Sequence, residues 1–194
     1  MVPLALLVSV LILVAIGVRR DSGTLGPLLT WGASFGQFVL AIALVWIAAH
    51  ESIPAGRLPR QLVYSAVIAA SLVVVIVTLL TFSTSPASAP PSVSPGIVGF
   101  ACGIGSTIAG GILVLLFGWM FRNSVATRPT VAGALYGAGA GVAINADWRI
   151  ACPVSTLGHA LGAHGTAIIA TVLLGALIGR ALGNRRLHTS IRRS

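Results

Sequence analysis

Charge is what this sequence has least of. Of its 194 residues only 8% are Asp, Glu, Lys or Arg, against about 25% in an ordinary soluble domain. Twelve basic and three acidic residues cannot cover the surface of a 19.7 kDa particle in water, which argues against a water-soluble globular enzyme. Lysine is absent altogether, beside abundant alanine, glycine and arginine, a bias typical of a GC-rich bacterial genome. What is there instead is apolar: 56% hydrophobic residues and a mean hydropathy of +1.00. That excludes intrinsic disorder and suits a chain solvated by lipid, with polar groups needed only at the two faces of the bilayer. Six helices of about 20 residues with short loops use up this length. The expected fold is therefore all-α: one integral-membrane domain over residues 1–194, with no appended soluble domain.

The apolar runs lie at 2–18, 27–49, 62–82, 96–121, 131–146 and 158–182. Every charged residue except Arg180 falls outside or at the edge of a run, as expected when centring a charge costs about 2.5 to 3.5 kcal/mol. Arg180 can snorkel from the last turn. No basic residue precedes the first run and no small-x-small site precedes Arg19, so it reads as a retained helix rather than a signal peptide. Arginine placement sets the orientation. With six spans and the N-terminus inside, Arg57, Arg60, Arg122, Arg128, Arg180, Arg185, Arg186, Arg192 and Arg193 face the cytoplasm and Arg19, Arg20 and Arg149 face outward, which favours N-in/C-in. The run 131–146 is short and carries Gly133, Gly137, Gly139 and Gly141, so a re-entrant segment competes with a full span there.

Between runs, Ser83–Pro95 is rich in proline and serine and carries no charge, reading as a semi-rigid outer loop. The arginines of the basic tail, 183–194, suit the anionic lipid of a cytoplasmic leaflet rather than nucleic acid. Gly133/Gly137, Gly158/Gly162 and Gly175/Gly179 place small residues on helix faces where backbones can approach, most simply within one chain. Trp31, Trp46, Trp119 and Trp148 lie toward span ends, and Trp148 between Asp147 and Arg149 reads as an interfacial anchor.

Cysteine is nearly absent too, and the two that exist, Cys102 and Cys152, both fall on the outer side of this topology, where disulfides are permitted. They read either as small apolar residues or as reactive thiols, since Cys152-Pro153 stands at a loop-to-helix junction with Pro153 suited to the first helical position. His159 and His164 follow, and with the cysteines they have the residue types of a soft-metal site. On a helix continuous from Pro153, however, Cys152 and His159 lie about 10 Å apart along the axis and the two histidines about 140° apart around it. One ion with bonds near 2 Å would then need Cys102 or a distorted helix start. The alternative is a pair of histidines hydrogen-bonded to neighbouring helices. A serine in span four and a histidine in span six, Ser106 and His159, are similar in outline to the rhomboid proteases. Yet Ile104 stands where that family's Gly-x-Ser motif requires glycine, and span two offers only His50 at its end. No cofactor other than a soft metal ion is expected, and no enzymatic activity.

Arg128-Pro129, the glycine-rich stretch Val131–Gly141 and Cys152-Pro153 opening a last helix resemble the NrsF family. The likeness extends to Gly17–Asp21, Ile53–Arg57 and a cysteine near the start of span four. The resemblance implies a six-helix bacterial inner-membrane anti-sigma factor that restrains an extracytoplasmic-function sigma factor. It also implies that Cys102 and Cys152 match the two extracytoplasmic cysteines associated with metal or oxidative stress. Thiol coordination or oxidation would shift helix packing and free the sigma factor. The family usually begins with a cytoplasmic stretch thought to hold the sigma factor, whereas Met1 here meets the first run at once. Either the start lies upstream, or the contact is expected from Glu51–Gln61, Arg122–Thr130 and the tail. Ala151 also stands where a histidine commonly precedes the Cys-Pro. The competing readings are a membrane scaffold or partner-binding module with inert cysteines and, further off, the rhomboid-like protease.

Overall fold

The computed structural model describes residues 10, 14, 17–19, 22–53, 58–84, 95–122, 126–152, 154 and 156–191, with backbone alone at 95–98 and 185–191. The described residues form five helices and no strand. Helix α1 comprises Ser22–Pro27, a π-helical turn Leu28–Gly32 and Ala33–Glu51. Next come α2, Arg60–Thr84, α3, Pro95–Met120, and α4, Pro129–Ala151. The last, α5, begins as Leu157–His159, widens into a π-helical turn Ala160–Gly165 and continues as Thr166–Ile191. These are the runs expected at 27–49, 62–82, 96–121, 131–146 and 158–182. Most of the run 2–18, residues 85–94 of the outer loop, Arg20, Asp21, Arg57, Pro153, Arg192 and Arg193 lie outside the described residues.

Four of the helices, α1, α2, α3 and α5, are long and apolar enough to cross a membrane. The fourth in order, α4, is less apolar and somewhat shorter than those four, and the run expected at 131–146 extends at both ends into a longer helix. It is one uninterrupted helix of 23 residues, about 35 Å long at 1.5 Å per residue. The apolar run stops before Asp147 because that residue is charged, yet the helix continues through Arg149 because protein, rather than water or lipid, surrounds the last turn. Asp147 is buried there, and Arg149 donates from Nη2 to the Leu29 carbonyl and from Nη1 to Thr81 Oγ1, both at 2.7 Å. Arg149 is thus not a loop charge. Helix α5 also runs past the apolar stretch into the basic tail, to Ile191.

Helix α4 is the centre of the bundle, packed on α5, α1 and α3. Its seam with α5 is built on backbone. A methyl group at Gly133 would overlap the Gly175 carbonyl, one at Gly137 the Thr171 carbonyl, and one at Gly179 the Pro129 carbonyl. On the α1 side, a methyl at Gly139 would stand 3.0 Å from the Ala41 carbonyl. In lipid, where burial of apolar surface no longer drives helices together, such close approach supplies the van der Waals attraction that does. The third glycine pair does not serve this purpose: Gly158 and Gly162 have nothing within 4 Å of an added methyl, because Gly158 just before the π turn and Gly162 within it both face a groove.

Polar contacts lie inside the bundle. Asn145 Nδ2 donates to Gln37 Oε1 at 3.1 Å between α4 and α1. Where α1 ends and α4 begins, fully buried Glu51 meets Arg128, with Nε to Oε2 at 2.9 Å and Nη2 to Oε1 at 3.0 Å. The Leu58 N–H donates to Glu51 Oε1 at 3.1 Å and the Leu58 carbonyl accepts from Arg128 at 2.9 Å. Glu51 is therefore not an accessible contact residue. Helix α2 contributes least to the core, burying only Val63, Ala70 and Thr81. Its hydroxyls are satisfied within the helix, as in Ser71 Oγ to the Val67 carbonyl at 2.9 Å and Thr78 Oγ1 to the Val74 carbonyl at 2.8 Å, which removes the cost of an unpaired hydroxyl in lipid.

Two stability predictions follow from this packing. Gly137→Ala should lower stability in micelles by about 1–3 kcal/mol through overpacking, whereas Gly162→Ala should change it by no more than about 0.5 kcal/mol; thermal unfolding followed by circular dichroism compares them. Arg128→Ala leaves the Glu51 carboxylate without its counter-charge, and roughly 3 kcal/mol should be lost in the same measurement.

Candidate metal and thiol centre

The end of the bundle opposite Glu51–Arg128 carries the candidate site. Cys102 lies in the early turns of α3, Cys152 caps the C-terminus of α4, and His159 and His164 belong to the start of α5. All four are buried. The two sulfurs are 3.5 Å apart as free thiols, with Cys102 donating to Cys152. His159 Nε2 stands 3.2 Å from Cys152 Sγ and 3.2 Å from His164 Nε2. One ligating atom from each residue lies within 4.8 Å of every other.

Two features of local structure bring about this convergence, and both depart from a straight α-helix. First, α5 starts at Leu157 rather than at Pro153: Thr156 is extended and its Oγ1 accepts from the His159 N–H at 3.3 Å, an ordinary N-cap. Cys152 and His159 therefore do not share one continuous helix, and the 10 Å axial separation does not apply. Second, the π turn Ala160–Gly165 closes i→i+5 bonds, which puts residues five apart on one side. The His159 and His164 rings accordingly meet at 5.1 Å between centroids and 71° between planes. The expectation that these histidines diverge by 140° is overturned by the extra residue in this turn.

Helix α3 reaches the cluster because glycines bracket Cys102. A methyl at Gly99 would stand 3.4 Å from His159 Nδ1, and one at Gly103 would stand 3.5 Å from Ala163 Cα. The spacing Gly99-xxx-Gly103 was the available signal for this approach. Trp148 was missed altogether as a site residue. It is half-buried and packs against the cluster formed by Cys102, Cys152, Val154 and Ala163, with its ring 6.5 Å from that of His164 between centroids and at 63° to it. Its reading as an interfacial anchor is corrected: it is a wall of the site, whereas Trp31, Trp46 and Trp119 are exposed on the bundle surface. An open groove of about 710 Å³, lined by Gly99, Gly103, Thr156, His159 and Ala163 among others, leads to the His159 side.

The donors act on one sulfur. The hydrogen bond from Cys102, then those with His159, His164 and the Val154 backbone, hold the Cys152 thiol below the usual range against the opposing effect of burial. Cys152 is thus the sulfur on which the hydrogen bonds of the site converge. The serine of the protease reading does not join a comparable arrangement. Ser106 Oγ is buried with no hydrogen-bond partner among the described residues, while His159 is engaged by Cys152 and His164.

The proximity of the sulfurs is directly testable. Diamide, which removes two electrons and two protons from a thiol pair, should convert Cys102 and Cys152 into an intrachain disulfide. Mass spectrometry of the alkylated protein should show both thiols lost together and no covalent dimer; a dimer or independent alkylation would contradict the geometry.

Across residues 1–183 the chain matches the NrsF family, described as negative regulator of sigma F. No curated protein and no solved structure gives a significant match.

Proposed function

The chain belongs to the NrsF family of negative regulators of sigma F, and from that premise we propose that Cys102 and Cys152 are the trigger by which it releases its sigma factor. The observation that carries this reading is the 3.5 Å contact between two buried free thiols on different helices. A bond or a shared ligand at those sulfurs ties α3 to the α4–α5 unit, and its loss frees them, so the thiols bias helix packing as a two-state element.

In this reading the protein is a six-span inner-membrane protein with both termini in the cytoplasm, the run 2–18 supplying the sixth span. The arginine distribution supports that orientation. So does the alternation of α1 to α5, which groups Arg19 with Ile150 at the site's end of the bundle through a 2.8 Å backbone hydrogen bond, opposite Glu51–Arg128. The thiols then face outside, where metal or oxidant arrives. The partner is an extracytoplasmic-function sigma factor held on the cytoplasmic face, where Arg60, Gln61, Arg122 and Thr127 are exposed and the arginines of the tail meet anionic lipid. The role is regulatory rather than enzymatic.

Cys102→Ser and Cys152→Ser, singly or together, should abolish the rise in sigma-dependent transcription that metal or oxidative stress provokes, while membrane insertion stays normal by fractionation. A double variant that still responds in full would leave a membrane scaffold with inert cysteines.

A further inference from the structure

The site offers more than a pair of thiols. We propose that Cys102 Sγ, Cys152 Sγ, His159 Nε2 and His164 Nε2 form a closed tetrahedral site for one thiophilic d¹⁰ divalent cation of the zinc and cadmium class. This deepens the thiol-trigger reading, on whose cysteines it rests, by naming the ligand and two further donors.

The distances carry it. Bonds of about 2.3 Å to sulfur and 2.0–2.1 Å to nitrogen at tetrahedral angles require separations of about 3.8 Å for S···S, 3.6 Å for S···N and 3.3 Å for N···N. The protein places the corresponding pairs at 3.5, 3.2 and 3.2 Å. The three other pairs of donors lie within 4.8 Å, so the set closes around an ion with side-chain shifts of about an ångström or less. The donor set is selective: two sulfurs and two imidazoles suit zinc-like cations, whereas magnesium and calcium require oxygen. Among the described residues no carboxylate joins the cluster, and Trp148 and Ala163 wall it, so four protein ligands leave no position open for a reacting water, as in non-catalytic zinc sites.

Charge balance points the same way. Two thiolates and a divalent cation sum to zero, and a neutral complex is what a buried position at the edge of a bilayer tolerates. Uptake forms four metal–ligand bonds with no change of oxidation state. Two protons per ion leave to solvent, whichever of Cys152 and His159 holds the proton between them. The π turn Ala160–Gly165 is the structural requirement, because an α-helical turn there would carry the His164 ring away from the other three donors.

The test uses the full chain purified in micelles under reducing conditions, stripped with a chelator and titrated with Co²⁺, then Cd²⁺. Wild type should take up one Co²⁺ per chain with the intense visible bands of a tetrahedral ion and thiolate charge transfer in the near ultraviolet, and Cd²⁺ should displace it. His159→Ala and His164→Ala should each weaken binding by more than the roughly 10–100-fold that loss of an outer-shell partner costs, with helix content by circular dichroism unchanged. The pale spectrum of an octahedral ion, or no stoichiometric uptake by wild type, overturns the proposal without recourse to any variant. Histidine variants that bind like wild type also overturn it and leave the thiol trigger standing. Tight tetrahedral binding combined with metal-insensitive sigma-dependent transcription would uphold the site and overturn the trigger.

Discussion

The contact of α4 and α5 through their backbones is the constraint on which the rest of this structure depends. Gly133, Gly137, Gly175 and Gly179 face carbonyl groups rather than side chains, so the two helices cannot slide or rotate against each other without a clash. Their mutual position is fixed along most of α4. That fixes the distance between the end of α4, which presents Cys152, and the start of α5, which presents the histidines. A seam made of side chains would allow rotamer changes to absorb a shift; one made of backbone does not. The site inherits its precision from glycines that never touch it.

Polar contacts between helices are few among the described residues. Gln37 and Asn145 meet each other in the interior, Glu51 and Arg128 close the junction between α1 and α4, and Arg149 reaches from α4 to α1 and α2 at the other end. Each links α4 to an element that the glycine seam does not reach. In a membrane the alternative for these groups is hydrocarbon, so the contacts act as specific fasteners even where their net energy is modest. Helix α2, with few such links, presents most of its apolar surface outward.

Much of this was legible in the amino-acid order, and the failures share one cause. The apolar runs gave the five described helices to within a few residues at most ends, because lipid imposes length and composition directly. Cys102 and Cys152 could be assigned to one end of the bundle by counting spans. What could not be read was any departure from a regular helix. Spacing arguments for His159 and His164 presume 3.6 residues per turn and a start at Pro153; the cap at Thr156 and the π turn violate both. Likewise Asp147-Trp148-Arg149 looks like a water interface only if the helix ends there. Gly158 and Gly162 resemble the packing glycines of α4, yet they face open space, since spacing records which residues share a face and says nothing of what that face meets.

The length of α3 gives the site mechanical reach. Cys102 and the flanking glycines engage one end of a helix of 26 residues, a rod of about 39 Å. At the other end Phe117 and Phe121 rest on Tyr136 at 5.3 and 4.9 Å, and Phe121 and Tyr136 help line a cavity of about 470 Å³ shared with Arg180. A rigid rod pivoting by about 5° moves its tip by roughly 3 Å over that length. Cys102 and the aromatic contact at Phe117 thus belong to one continuous helix, so a tilt of α3 that begins at the thiols would reach the opposite end of the bundle without a relay of intervening side chains.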